Sequence, residues 1–435
     1  MTVQTFTFPN GLRVVYEKSY SSKKTTNIQA FCDVGSIHEP ENLRGAAHFV
    51  EHMCFKGTTH IPDFRKIYTE YDEIGAYINA STDKRYTKYI IRCNTNYLAN
   101  VLAILSDMIL NSIFDKESFQ REERVVIEEN VMGDKDSSEQ LFNAIDAALY
   151  NGTEYERPID CVGYHKKLFS RDDIIDFYKT FYQPNRVILS IVSQTSFETI
   201  KRFIRNTHFA RATNANHIFP ELRMCVTPSQ DIQYKIVKTV GTYVSVSFRF
   251  LSEDKYPMMC LSFILSGPMS SRLWKILRDD SGLTYSANAE CSIYEKYGDF
   301  CIYSDTNNSK ILADGSKPGV LPLIIKLLND LIKNGVTADE LAMAKGYLNG
   351  QITRQSENDT NLSDYNGTQS IMFPGKPIVP YSKIYDNFYK SMKIEDINRC
   401  IRKYFRKEFM CVCITCDKPV KLSAVAAISE KLLGE

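Results

Sequence analysis

The chain has 435 residues, 43% of them hydrophobic, with 53 Lys plus Arg against 52 Asp plus Glu for a net charge of +1. One hydrophobic core does not extend over that length, so two or more domains are expected, and the balanced charge excludes a global field drawing the protein to nucleic acid or an anionic membrane. No apolar run approaches the roughly 20 residues of a membrane span, the start lacks the apolar core of a signal peptide, and the 12 cysteines are mostly scattered, unlike a disulfide framework; the expectation is a cytoplasmic protein with no membrane or nucleic-acid partner.

The opening MTVQTFTFPNGLRVVYEK alternates as two strands about an Asn10-Gly11 turn, and NIQAFCDVGS continues as a third strand. Then comes GAAHFVEHMCFKGTTH, residues 45 to 60, with helical spacing. At about 100° per residue, Glu51 lies about 60° to one side of His48 and His52 about 40° to the other, so all three share one face. Cys54 falls about 120° from His48 and is excluded from a site built there. Two imidazoles one turn apart can bind one zinc ion, and a carboxylate between them can take a proton from water on the metal. With 7 His in the chain, chance predicts on the order of 0.01 occurrences of H-x-x-E-H, which favours a metal over an ordinary amphipathic helix.

After Gly57 a helix pattern ends near Gly75, and two strand-like runs follow. NYLANVLAILSDMILNSIF is a helix, and KESFQREERVVIEENVMGD a second, acidic one. A zinc site with two histidines needs a third protein ligand. Glu122 and Glu129, seven residues apart, differ by only about 20° and lie on one stripe bordered by Val125 and Val126. Carboxylates beside valines are unfavourable unless something positive faces them, as a metal and its imidazoles do. Glu128 offers a register one residue away, but only Glu129 shares the stripe with Glu122.

RDDIIDFYKTFYQPNRVILSIVSQ gives a helix, a break and an apolar strand, closing a first domain at 1–205. Residues 206–232 are polar and turn-rich and are assigned as a linker. A second domain, 233–435, repeats the plan: a strand, two helical segments around Gly267-Pro268, a hairpin, a helix and the closing strand FMCVCITC, with no second H-x-x-E-H. The C-x-x-C within that strand, Cys413 to Cys416, has no second pair to complete a zinc site, and its cysteines are assigned as buried thiols. The expected fold class is α+β: two topologically similar domains, each a mainly antiparallel sheet with helices packed on it.

HFVEH followed by Glu129, 77 positions beyond His52, resembles the inverted zinc motif and distal glutamate of the pitrilysin-type metallopeptidases, in the short two-domain form related to mitochondrial processing peptidase subunits. The resemblance extends through FPNGLRVV, EHMCFKGT, GAYINASTDKRYTKY, FYQPN, SSRLWKILRDDSGLTYS and TADELAMAKGYLNGQ, in family order. It implies that His48, His52 and Glu129 ligate one zinc per chain, that Glu51 is the general base, and that Glu122 holds a ligand histidine. It also implies that Arg278 and Tyr285 contact the substrate carbonyl. The segment DDSGLTYS departs from the family in lacking basic residues before Gly-Leu. YINAST reads as a sheet edge to which a peptide could add as a strand, with Asn79 and Ala80 contributing backbone groups.

The implied activity is zinc-dependent endopeptidase cleavage of unstructured peptides. The alternatives are a presequence-processing peptidase and a non-catalytic scaffold subunit of the same fold. Family geometry further implies a homodimer in which Arg278 and Tyr285 of one subunit complete the zinc site of the other, a heterodimer with a homologous subunit being the alternative.

Overall fold

In the computed structural model, which describes residues 2–20, 24–160, 169–215, 219, 222–226, 229–313 and 317–432, the strands gather into two sheets. The first holds β1 (Gln4–Thr7), β2 (Arg13–Lys18), β3 (Thr25–Cys32), β4 (Tyr77–Thr82), β5 (Thr87–Asn94) and β6 (Val187–Ser193), in the order β1-β2-β6-β3-β5-β4. Gly11, at φ +88°, makes the turn between β1 and β2 in the left-handed region that an L side chain resists. The continuous apolar run VILSIVS becomes β6, central in the sheet and buried at every position. In β5 buried positions alternate with more open ones, the period-2 signature of a strand with one face to the core.

The second sheet holds β7 (Gln233–Lys238), β8 (Thr242–Leu251), β9 (Ala287–Ile293), β10 (Tyr297–Thr306) and β11 (Met410–Cys416), in the order β7-β11-β8-β10-β9. Counting from β2 in one sheet and β7 in the other, both run first, fifth, second, fourth, third. In both, the first and fifth strands are parallel and the remaining pairs antiparallel. The topological repeat expected from the strand and helix pattern is therefore present. Cys411, Cys413 and Cys416 lie buried in β11, and every cysteine among the described residues is a free thiol.

The chain forms two compact units, each built of three segments: 1–131, 158–222 and 352–383 in one, and 132–157, 223–351 and 384–435 in the other. The contiguous stretches 1–205 and 233–435 thus supply the strands of the two sheets, while one helix of each goes to the other's sheet. Helix Asp359–Met372 packs on β2, β3 and β6, and helix Ser137–Leu149 on β7, β8 and β11. The apolar stripe Leu141, Ala144, Ile145, Ala148 and Leu149 is buried; helical periodicity marks such a face but not the sheet that covers it. Gly367 permits the matching approach in the first unit, where a Cβ would stand 1.9 Å from the Phe31 ring of β3.

Candidate metal centre

The H-x-x-E-H segment forms helix Ala46–Met53. Its entry is capped by the buried Glu39, whose carboxylate accepts the amide hydrogens of Gly45 and Ala47, both at 2.8 Å. Ala46, Phe49, Val50 and Met53 are wholly buried and turn one face into the core, leaving His48 and His52 half-buried on another. Helix Lys116–Gly133 lies alongside, its Phe119 meeting Phe49 edge to face at 4.8 Å. The stripe with Glu122 buries Val126, while Val125 is 42% exposed, so only one of the two valines borders the acidic stripe from the core side.

These elements bring three candidate ligand atoms together. His48 Nε2 and His52 Nε2 are 3.2 Å apart, and Glu129 Oε2 lies 3.8 Å from the first and 3.4 Å from the second. Donors about 2.1 Å from a tetrahedral zinc stand about 3.4 Å from one another, so the triangle has the size of a zinc site. The outer ring nitrogens face carboxylates: His48 Nδ1 is 2.9 Å from Asp160 Oδ1 and His52 Nδ1 is 3.2 Å from Glu122 Oε2. Each carboxylate draws the ring proton to Nδ1, leaving both Nε2 lone pairs and the Glu129 carboxylate converging with no donor among them. A cation resolves that convergence, and the donor set of two imidazoles and a carboxylate fits zinc.

Glu51 stands outside the triangle, its Oε2 accepting the Thr82 hydroxyl at 2.6 Å. Burial raises its pKa, against the opposing pull of the Thr82 hydrogen bond and of His48 and His52. For His48, burial works to lower the pKa, but Asp160, Glu51 and Glu129 together outweigh it and the net shift is upward. Burial also acts to raise Glu122, yet the contacts with His52 and with Lys56, whose Nζ is 2.9 Å away, hold it below the usual glutamate range.

Asp160, Thr82 and Lys56 are the residues that the sequence reading passes over. Lys56 lies four positions beyond His52, just past the end of that helix, and Thr82 is two positions beyond Ala80 on β4, both close in sequence to residues already singled out. Asp160 carries no local signal.

β4 is the edge of its sheet, and Thr82 at its end brings that edge to Glu51. Asn79 is exposed; its amide donates to the Tyr77 hydroxyl at 3.1 Å, and its Oδ1 accepts the Ala80 backbone N–H at 2.9 Å. In the second unit Arg278 lies on the π-helical turn Trp274–Asp279, its guanidinium 4.2 Å from the Trp274 ring centre and 4.9 Å from that of Tyr285. Tyr285, in the loop before β9, is 78% exposed. The partly buried Arg278 and the exposed Tyr285, seven positions apart, thus form one cation–π pair. No helix among the described residues is long and apolar enough to cross a membrane.

Two family models match: insulinase (peptidase family M16) over residues 13–163, and the peptidase M16 inactive domain over residues 168–348. A Bacillus subtilis relative named "Uncharacterized zinc protease YmxG" is 27% identical over 414 residues, covering 94% of this chain and 97% of its own. The mitochondrial-processing peptidase subunit beta of Dictyostelium discoideum is 29% identical over 194 residues, 45% of this chain and 41% of its own. Among solved structures, a protease from Helicobacter pylori superposes with a TM-score of 0.85 at 20% identity, covering 96% of this chain and 100% of that one, a likeness of fold.

Proposed function

The chain belongs to the M16 (insulinase) peptidase family in its short two-domain form, and from that premise we propose that it is a zinc-dependent endopeptidase acting on unstructured peptides. The observation that carries this reading is the convergence of His48 Nε2, His52 Nε2 and Glu129 Oε2 beside a separate, buried carboxylate, Glu51. His48, His52 and Glu129 would hold the ion. Zinc bound there supplies Lewis acidity toward a peptide carbonyl and brings proton loss from water within reach of neutral pH.

The protein's own groups divide the remaining work. Glu51, raised in pKa by burial and oriented by Thr82, accepts the proton of the attacking water and returns it to the departing amine. Glu122 and Asp160 fix the two rings so that both Nε2 atoms face inward. Arg278 and Tyr285 donate hydrogen bonds to the oxygen on which charge develops. The substrate lies along β4 as an added strand. Because Asn79 Oδ1 already accepts the Ala80 N–H, an incoming carbonyl takes that amide by turning the Asn79 side chain aside. Recognition through the extended backbone favours unstructured peptides and makes folded proteins poor substrates.

The free thiols among the described residues fit a reducing compartment such as the cytoplasm. We assign the assembly as a homodimer in which the Arg278 and Tyr285 pair of one subunit serves the zinc site of the other; a heterodimer with a homologous subunit is the alternative. Mixing Glu51→Gln with Tyr285→Phe subunits tests it: recovered cleavage supports the shared site, and two silent halves that stay silent count against it. The second reading, presequence processing, draws on the similarity to the mitochondrial-processing peptidase subunit. It predicts a single cut in basic presequence peptides and none in neutral ones. For the endopeptidase itself, Glu51→Gln should retain zinc and lose about 10²–10⁴-fold in cleavage rate; undiminished cleavage would remove Glu51 from its role.

A further inference from the structure

We propose that the first unit carries a second cation site, for a divalent transition metal such as zinc, formed by His60, Asp107 and His208. It shares no residue with the His48–His52–Glu129 triangle and does not rest on the peptidase reading.

Three separate stretches supply it: the loop after helix Ala46–Met53, helix Leu98–Leu110, and the short turn His208–Arg211. His60 Nδ1 lies 2.7 Å and His208 Nε2 3.6 Å from the same oxygen, Oδ1 of Asp107. The two rings stand 4.7 Å apart, tilted by 35°, and the three donor atoms fall within 4.8 Å of one another. Two imidazole nitrogens and one carboxylate oxygen suit zinc, cobalt or nickel better than magnesium or calcium, which prefer oxygen.

The carboxylate is fixed in advance. Asp107 is 4% exposed, the Thr58 hydroxyl donates to its Oδ2, and the Asn111 amide donates to Oδ1 at 2.7 Å. His208 is tied to the same helix by its backbone N–H, which donates to Ser106 Oγ at 3.2 Å. Outer contacts of this kind orient metal ligands. The histidine side chains are 59% and 38% exposed, which leaves an entry path and an open coordination position. Hydrogen bonding alone accounts for His60 and Asn111 on Oδ1 but not for His208, whose Nε2 stops beyond hydrogen-bonding range of that oxygen. An ion between the two rings uses all three. Binding needs His60 to carry its ring proton on Nε2, so that the Nδ1 lone pair faces the ion. The bound ion clamps the loop after the H-x-x-E-H helix to helix Leu98–Leu110 and to the turn at His208.

The test is zinc binding to the full-length His48→Ala/His52→Ala chain, in which the first triangle is destroyed, read by native mass spectrometry and by the visible absorption of Co2+ in its place. One ion per chain is expected, lost on adding His60→Ala or His208→Ala while the circular dichroism spectrum stays unchanged. No bound ion, or one that survives both additions, overturns the proposal. Should the background variant not fold, the wild-type chain is compared with His60→Ala/His208→Ala: the latter should bind one zinc fewer, and equal stoichiometry overturns the site. Failure of the peptidase reading would change the total but not this difference.

Discussion

Replacing Gly367 by alanine tests how helix Asp359–Met372 seats on the first sheet. The added Cβ would stand 1.9 Å from Cε2 and 2.5 Å from Cζ of Phe31, a ring with 0% exposure that meets Tyr86 edge-on at 5.1 Å. Carbon atoms in contact sit about 3.5 Å apart, so the ring or the helix must retreat by about 1.6 Å. Overpacking a filled core costs about 1–3 kcal/mol, and an overlap this large against a pinned ring belongs at the upper end. Alanine's better helix propensity returns about 0.5–1 kcal/mol. The net expectation is a loss of about 2 kcal/mol, or about thirty-fold faster hydrogen exchange in β3 peptides followed by mass spectrometry. Gly346→Ala, in helix Ala338–Ser356 with nothing within 4 Å of the added carbon, keeps only the propensity gain and should slow exchange in its helix. Unchanged or slower exchange in β3 of Gly367→Ala would refute the packing argument.

Glu122→Gln and Asp160→Asn each loosen one ligand ring and should weaken zinc by about 10–100-fold in chelator competition, whereas Glu123→Gln, on the same helix, is expected to leave affinity unchanged. Around Asp254, burial acts to raise the carboxyl, but hydrogen bonds from Tyr404, Lys403 and Arg399 overcome it and the pKa is lowered. A lowered folded-state pKa contributes stability above the ordinary aspartate value of about 3.9 and loses it as pH falls through the folded value. Asp254→Asn should therefore destabilise the second unit more at pH 7 than near pH 3, read by thermal unfolding. Loss of the same size at both pH values would contradict the ion-pair account.

What could be read from the chain alone follows from how local each signal is. His48, Glu51 and His52 lie within a turn and a half of one helix, and Glu122 and Glu129 within two turns of another, so counting at about 100° per residue suffices to place them on shared faces. The repeat was legible because strand alternation and helix periodicity recur in the same order. The exchange of helices Ser137–Leu149 and Asp359–Met372 was not, since an apolar stripe names no partner and the contacts lie hundreds of positions away, as between Ser19 and Asp359. Asp160 faces His48 across 112 positions, beyond any periodicity. His60, Asp107 and His208 are gathered only by the fold.

The proposed activity is peptide hydrolysis at the His48–His52–Glu129 centre with Glu51 as base. Its most direct test is mass spectrometry of a mixed pool of unstructured peptides incubated with the purified, zinc-loaded chain, beside Glu51→Gln and a chelated sample. Internal cuts are expected that vanish in both controls while Glu51→Gln keeps its zinc. Intact peptides from a zinc-loaded wild-type chain, or cuts that persist in Glu51→Gln, would contradict it.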